Sequence, residues 1–139
     1  MGYRSDVAYS IGFEDKATLN EFIALIMVKG GEDLQALKEC AVDTNDEINY
    51  YRVNAFFDDV KWYDSFPDVQ AHHRLMNFAL ERFEDKVGWR FIRVGEEYDD
   101  IQDDSAGESN LIDYDMYVSR TLEMPHNTDP IGDSLGLIP

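Results

Sequence analysis

Basic side chains are scarce in this 139-residue sequence. Twelve Lys and Arg stand against 29 Asp and Glu, giving a formal charge of −17 and a pI near 4.2. A field of that sign repels nucleic-acid phosphates and anionic membrane surfaces. Phosphate binding needs clustered cations, and only Arg82, Lys86, Arg90 and Arg93 lie close together. Direct contact with nucleic acid is therefore not expected. Cysteine is limited to Cys40, in LKECAV; it cannot form an internal disulfide, asks for no oxidising compartment, and reads as a small buried hydrophobe. Long apolar runs are missing too. The longest, Phe22 to Val28, is far short of the roughly 20 residues a spanning helix needs. The opening MGYRSDVAYS has Arg4 and Asp6 and no apolar centre, so it does not read as a secretory signal, and Asp6 stands where myristoylation needs Ser or Thr. These absences predict a soluble cytoplasmic protein. Collagen, coiled-coil and disulfide-framework readings fail on composition. What remains is 44% apolar and 13% aromatic, enough to build the core of one domain.

The pattern along the chain predicts an α+β fold. Val7, Tyr9, Ile11 and Phe13 alternate with small residues, the period of a half-buried strand. Leu19, Phe22, Ile23 and Ile26 recur at helical spacing until Gly30-Gly31, and Leu34, Leu37 and Ala41 fit a second helix over about 32–42. Asp43–Asp46 reads as a turn. A hairpin is expected with Tyr51, Val53, Ala55 and Phe57 on one face of its first strand, Asp58-Asp59 at the turn, and Val60–Tyr63 returning. Ser65-Phe66-Pro67-Asp68 reads as a capping box opening a helix of about 67–85. Trp89, Phe91 and Arg93 mark a strand, 95–110 a polar loop, and Ile112, Tyr114, Met116 and Val118 a last strand. With right-handed crossovers this gives an antiparallel sheet of about five strands with helices on one face. It is the ferredoxin-like βαββαβ arrangement plus an extra helix and strand. The expected domain covers 1–124, followed by an irregular tail over 125–139.

Chemical signatures are few. GxSxG, GxGxxG, GxxxxGK[ST], HExxH and CxxC are absent, and no EF-hand register fits the acidic loop. His72 and His73 point about 100° apart on a helix and read as structural, while His126, in the tail, is expected to have no chemical role. Tyr50, Phe56, Tyr63 and Phe91 could stack on bases if arranged on one sheet face, but the RNP1 pattern is missing and the charge is wrong, so packing is the expected role. No catalytic residue, cofactor or metal is expected. The one concentrated feature is acidic: Glu96, Glu97, Asp99, Asp100, Asp103, Asp104, Glu108, Asp113 and Asp115 lie in a stretch without Lys or Arg. On a strand, Asp113 and Asp115 would stand about 6.6–7 Å apart, near two phosphate steps of about 3.4 Å. Such a surface can occupy the basic groove of a nucleic-acid-binding protein; the alternative is that it only confers solubility.

The stretches MGYRSDVAYS and GWRFIRVGEEYDDI resemble small acidic proteins, of uncharacterised activity, encoded by tailed bacteriophages. The resemblance covers residues 1–13 and 88–118, with a looser match of element order between them. It implies an accessory phage protein in the bacterial host cytoplasm, binding a host enzyme or a defence complex, and it transfers no site residues. Combined with the acidic tract, the expectation is a non-enzymatic inhibitor that mimics nucleic acid and binds a basic surface of a host nucleic-acid-handling or defence protein. A homo-oligomeric assembly module and a metal- or small-molecule-binding protein are the alternatives.

Overall fold

The structure, a computed structural model, describes residues 2–119 and 121–134. Its centre is β1 (Ser5–Phe13), whose Val7, Tyr9, Ile11 and Phe13 are buried to 1% exposure or less. Asp15 then caps α1 (Lys16–Lys29): its carboxylate accepts the Thr18 N–H at 2.8 Å and the Thr18 hydroxyl at 2.7 Å, satisfying a donor that the first helical turn leaves open. Gly30, at φ 66°, ends α1 in a conformation that side chains disfavour. α2 (Gly31–Lys38) follows and buries Ala36 and Leu37.

β2 (Ala41–Asn45), β3 (Tyr50–Val60), α3 (Pro67–Phe83), β4 (Val87–Gly95) and β5 (Ile101–Gly107) complete the main layer pair. The antiparallel sheet runs β2-β3-β1-β4-β5. Its first four strands have the neighbour order of the split βαβ arrangement, with α2 and β5 as the additions. The fold is α+β, as expected. Leu19, Phe22 and Ile26 of α1, Leu37 of α2 and Leu75, Met76 and Ala79 of α3 pack with Tyr9, Ile11, Val53 and Phe91 in one core, so the helices share a face.

Several boundaries differ from the sequence reading. The second helix stops at Lys38, and Asp43–Asn45, read as a turn, are in β2; the real hairpin bend is Asp46–Asn49, closed by Asn49 at φ 51°. Asp58-Asp59 is not a hairpin turn. β3 runs through it to Val60 with a register shift against β1 between Ser5 and Val7, and Asp59 takes φ 55° there. A bulge and a turn ask for the same residues, which is why they were confused. The capping box is absent as well: Phe66, not Ser65, precedes α3 and no side chain caps it, while Pro67 supplies a first-turn residue with no N–H to satisfy.

The larger change lies after Gly95. Residues 101–107 pair with β4 as β5, and 112–116 are not a strand; only β6 (Tyr117–Ser119) and β7 (Thr121–Glu123) pair, as a separate ribbon. Residues 112–118 and Met124 cover the sheet face opposite the helices, where Ala8, Ile92 and Met116 are buried and Phe56, Val94, Val118 and Met124 pack around them. Just before them, residues 108–112 cross the sheet over Gly12 and Gly88, which face each other in register. A Cβ on Gly12 would collide with the Leu111 carbonyl oxygen, and one on Gly88 would stand 2.5 Å from that of Glu108. Arg52 Nη1 holds the Leu111 carbonyl at 2.7 Å, and Arg90 Nη1 those of Asp113 and Met116 at 3.0 and 2.9 Å. Beyond Met124 the chain has no regular structure until α4 (Ile131–Ser134), where Ile131 is 1% exposed in the main core and its N–H donates to the Cys40 carbonyl. The expected irregular tail is thus anchored at Ile131; residues 135–139 lie outside the described residues.

Candidate binding surface

β5 is an edge strand: it pairs with β4, and among the described residues no strand lies on its other side. All its residues except Ala106 are exposed. Alternation sorts its acids by face. Asp104 stands opposite Phe91, which faces the helices, while Asp103 stands opposite Ile92 on the other face. The tract therefore wraps the edge of the sheet and does not form one plane.

Part of its charge is cancelled inside the molecule. Arg93 bonds both carboxylate oxygens of Asp100, at 2.7 and 3.2 Å, and the Tyr3 hydroxyl adds a third bond at 2.5 Å. Arg93 first, and Tyr3 second, hold the Asp100 carboxyl below the usual carboxylate range. Arg90 bonds Asp103 in the same two-pronged way, at 2.8 and 3.1 Å, the geometry a guanidinium fork favours. Asp113 is 3% exposed, with His126 Nε2 at 2.9 Å from its Oδ2. The remaining six, Glu96, Glu97, Asp99, Asp104, Glu108 and Asp115, are exposed and form no ion pair among the described residues. Glu96 accepts the Arg4 N–H at 2.5 Å, and Asp104 a Gln102 amide bond at 2.7 Å. The phosphate spacing inferred for Asp113 and Asp115 does not hold: they lie in an irregular bend, one buried and one exposed, with the Asp115 N–H bonded to Asp113 Oδ1 at 2.9 Å.

Apolar and aromatic groups interleave with the six. Tyr98, Ile101, Tyr114 and Tyr117 are the exposed large hydrophobics of this region, at 77, 48, 65 and 51%. A shallow notch of about 330 Å³ takes Val94, Ile101, Val118 and Tyr98 on its walls together with Glu96 and Glu97. Carboxylates beside an apolar hollow suit a long cationic side chain, whose stem is hydrocarbon and whose head is charged. Sequence reading found the acids and missed these partners. The signal for Arg90 and Arg93 as internal counterions lies in the β4–β5 pairing, which the polar composition of 95–110 does not display.

The other candidates settle into structural roles. Cys40 is fully buried and its thiol is pushed up to about 12 by burial, the opposite of an activated nucleophile. His72, 2% exposed, bridges the Tyr9 hydroxyl (2.5 Å) and Glu39 (2.9 Å) inside the core, and burial lowers His73 from the usual histidine range. Phe91 is buried, Phe56 packs on the second core, Tyr63 rests edge-on against Phe66, and Tyr50 lies beside His126; these four do not form an exposed platform. His126, expected to have no chemical role, lies with Asp113 and Asp115 so that one ligand atom from each falls within 4.8 Å of the others. Among the described residues no helix is long and apolar enough to cross a membrane. No family model, curated protein or solved structure matches the chain.

Proposed function

We propose that the protein is a non-enzymatic binding module that docks a basic surface of another protein along β5 and the flanking acidic, aromatic ridge. The occupant is a host protein that handles nucleic acid or serves in defence, met in the bacterial cytoplasm by a phage-type accessory protein acting as its inhibitor. The observation that carries this reading is the edge strand itself: an open row of backbone donors and acceptors, with six carboxylates lacking a cation and with Tyr98 and Ile101 between them. A basic extended segment would complete the sheet and the charge together. A second copy of this chain fits poorly there, since antiparallel pairing of two β5 edges about their centre brings Asp104 against its own counterpart.

The test is capture of a partner from bacterial lysate at low salt, elution at high salt, and titration of that partner against the wild type and the variant Glu97→Gln, Asp99→Asn, Asp104→Asn, Glu108→Gln. Asp100 and Asp103 are left intact because they hold Arg93 and Arg90. The expected result is a basic nucleic-acid-binding protein whose affinity falls at least tenfold in the variant and falls steeply with salt. Unchanged affinity in the variant overturns the reading.

A further inference from the structure

The group around His126 differs in kind from the solvent-facing acids. Asp113 is buried, and its two oxygens are differently placed: Oδ1 accepts the Asp115 N–H, whereas Oδ2 is fully enclosed and receives no hydrogen bond. His126 Nε2 lies 2.9 Å from Oδ2, within ion-pair reach but off the direction a ring N–H bond needs. An enclosed carboxylate oxygen without a hydrogen bond is costly. The Tyr50 hydroxyl lies alongside the ring, 3.0 Å from Nδ1 and 3.2 Å from Nε2, and Asp43 Oδ2 stands 3.6 Å from Nδ1. Asp43 is thus on the side of the nitrogen left over when Nε2 ligates, where metal-bound imidazoles carry an outer carboxylate. Asp115 brings a second, exposed carboxylate within 4.8 Å.

The charge balance points the same way. Asp43, Asp113 and Asp115 surround a single imidazole. The nearby arginines give it little: Arg52 and Arg90 spend donors on the Leu111, Asp113 and Met116 carbonyls, and Arg90 on Asp103. Ligand atoms about 2.0–2.2 Å from a common tetrahedral ion stand about 3.3–3.6 Å apart. The Nε2–Oδ2 separation of 2.9 Å needs to open by a few tenths of an ångström, and Asp115, being exposed, can swing to complete the set.

We propose that Asp113 Oδ2, an Asp115 carboxylate oxygen and His126 Nε2 form a binding site for a divalent transition ion, zinc foremost. One imidazole among the ligands favours zinc or cobalt over calcium and magnesium, which prefer oxygen alone. The ion would join three separate parts of the chain: the β2–β3 hairpin that backs His126, the 113–115 bend, and the segment that leads to the Ile131 anchor. Its role is to fasten that segment.

The experiment uses the full chain, treated with a chelator and then titrated with Zn²⁺ by calorimetry and with Co²⁺ by visible absorption. One ion per chain is expected, with micromolar or tighter affinity for Zn²⁺ and at least tenfold weaker binding of Ca²⁺ and Mg²⁺. Histidine ligation should appear in a cobalt-shifted imidazole resonance lost in His126→Gln. Asp113→Asn and Asp115→Asn should each weaken Zn²⁺ at least tenfold, while Asp99→Asn with Asp104→Asn leaves it unchanged. Asp115 is exposed, so its variant stays informative even if the buried change at 113 disturbs folding. Absence of one-to-one Zn²⁺ or Co²⁺ binding, or affinity unchanged in both Asp115→Asn and His126→Gln, overturns the proposal.

Discussion

The buried polar relay under α3 gives the sharpest test of how this core is held. Glu39 accepts from His72 Nε2 at 2.9 Å. An ionised carboxylate can only accept, so Nε2 carries the ring proton and Nδ1 is left to accept the Tyr9 hydroxyl at 2.5 Å. Tyr9 is fully buried and its hydroxyl also lies 3.1 Å from Cys40 Sγ. Tyr9→Phe keeps the ring packing and orphans a buried acceptor, which costs about 1–3 kcal/mol. His72→Leu leaves the hydroxyl only the weakly accepting Cys40 sulfur and strips the ring contacts with Phe57 and Trp62, for a similar cost. The double variant leaves neither orphan, so it should be less destabilised than the sum of the two by about 1–2 kcal/mol. At about 2.1 cal/mol/K of unfolding entropy per residue, 2 kcal/mol corresponds to about 7 °C in Tm for this length. Urea unfolding of the four proteins at pH 7, fitted with a common m value, measures the coupling. Additivity within about 0.5 kcal/mol would refute the Tyr9–His72 hydrogen bond as a stabilising contact.

Two further outcomes follow from the fold. Burial alone would raise the Asp33 carboxyl, but hydrogen bonds from Arg74 and Lys29 outweigh it and hold it below the ordinary range. A depressed native value means stability that is complete above the unfolded pKa of about 3.9 and lost as pH falls through the native one. Urea midpoints from pH 6 down to pH 3 should therefore fall less steeply in Asp33→Asn than in the wild type, and parallel curves would sink the claim. Gly12→Ala puts a methyl group into the Leu111 carbonyl and should cost about 1–3 kcal/mol; amide exchange at 109–113 should speed up before β1 itself opens, and an unchanged pattern would show that the crossing does not bear on Gly12.

Legibility in the sequence tracked how far each signal had to reach. β1, α1 and α3 were readable because their apolar periods are local; β1 is in fact buried on both faces, the small Ala8, Ser10 and Gly12 filling the second. β2 was lost because Asp43, Thr44 and Asn45 carry turn chemistry while only Ala41 is buried. β5 was lost because an edge strand exposed on both faces shows no alternation. Ile112, Tyr114, Met116 and Val118 read as one strand face, but Tyr114 is exposed and Asp113 buried, because the burial of Ile112 and Met116 comes from irregular chain lying on the sheet. The acids of the candidate surface were visible as composition. Which of them are already paired depended on the β4–β5 register, and the company His126 keeps depended on contacts with Tyr50, 76 residues away.

The crossing over Gly12 and Gly88 rests main chain on main chain. A ledge of that kind stores no information about the side chains of Ser109, Asn110 and Leu111, which are therefore free to drift through neutral substitution, whereas the two bare positions beneath them are not. A distant cousin of this protein would thus betray itself by a matched pair of glycines facing one another on neighbouring strands, long after the loop above had lost any trace of common descent.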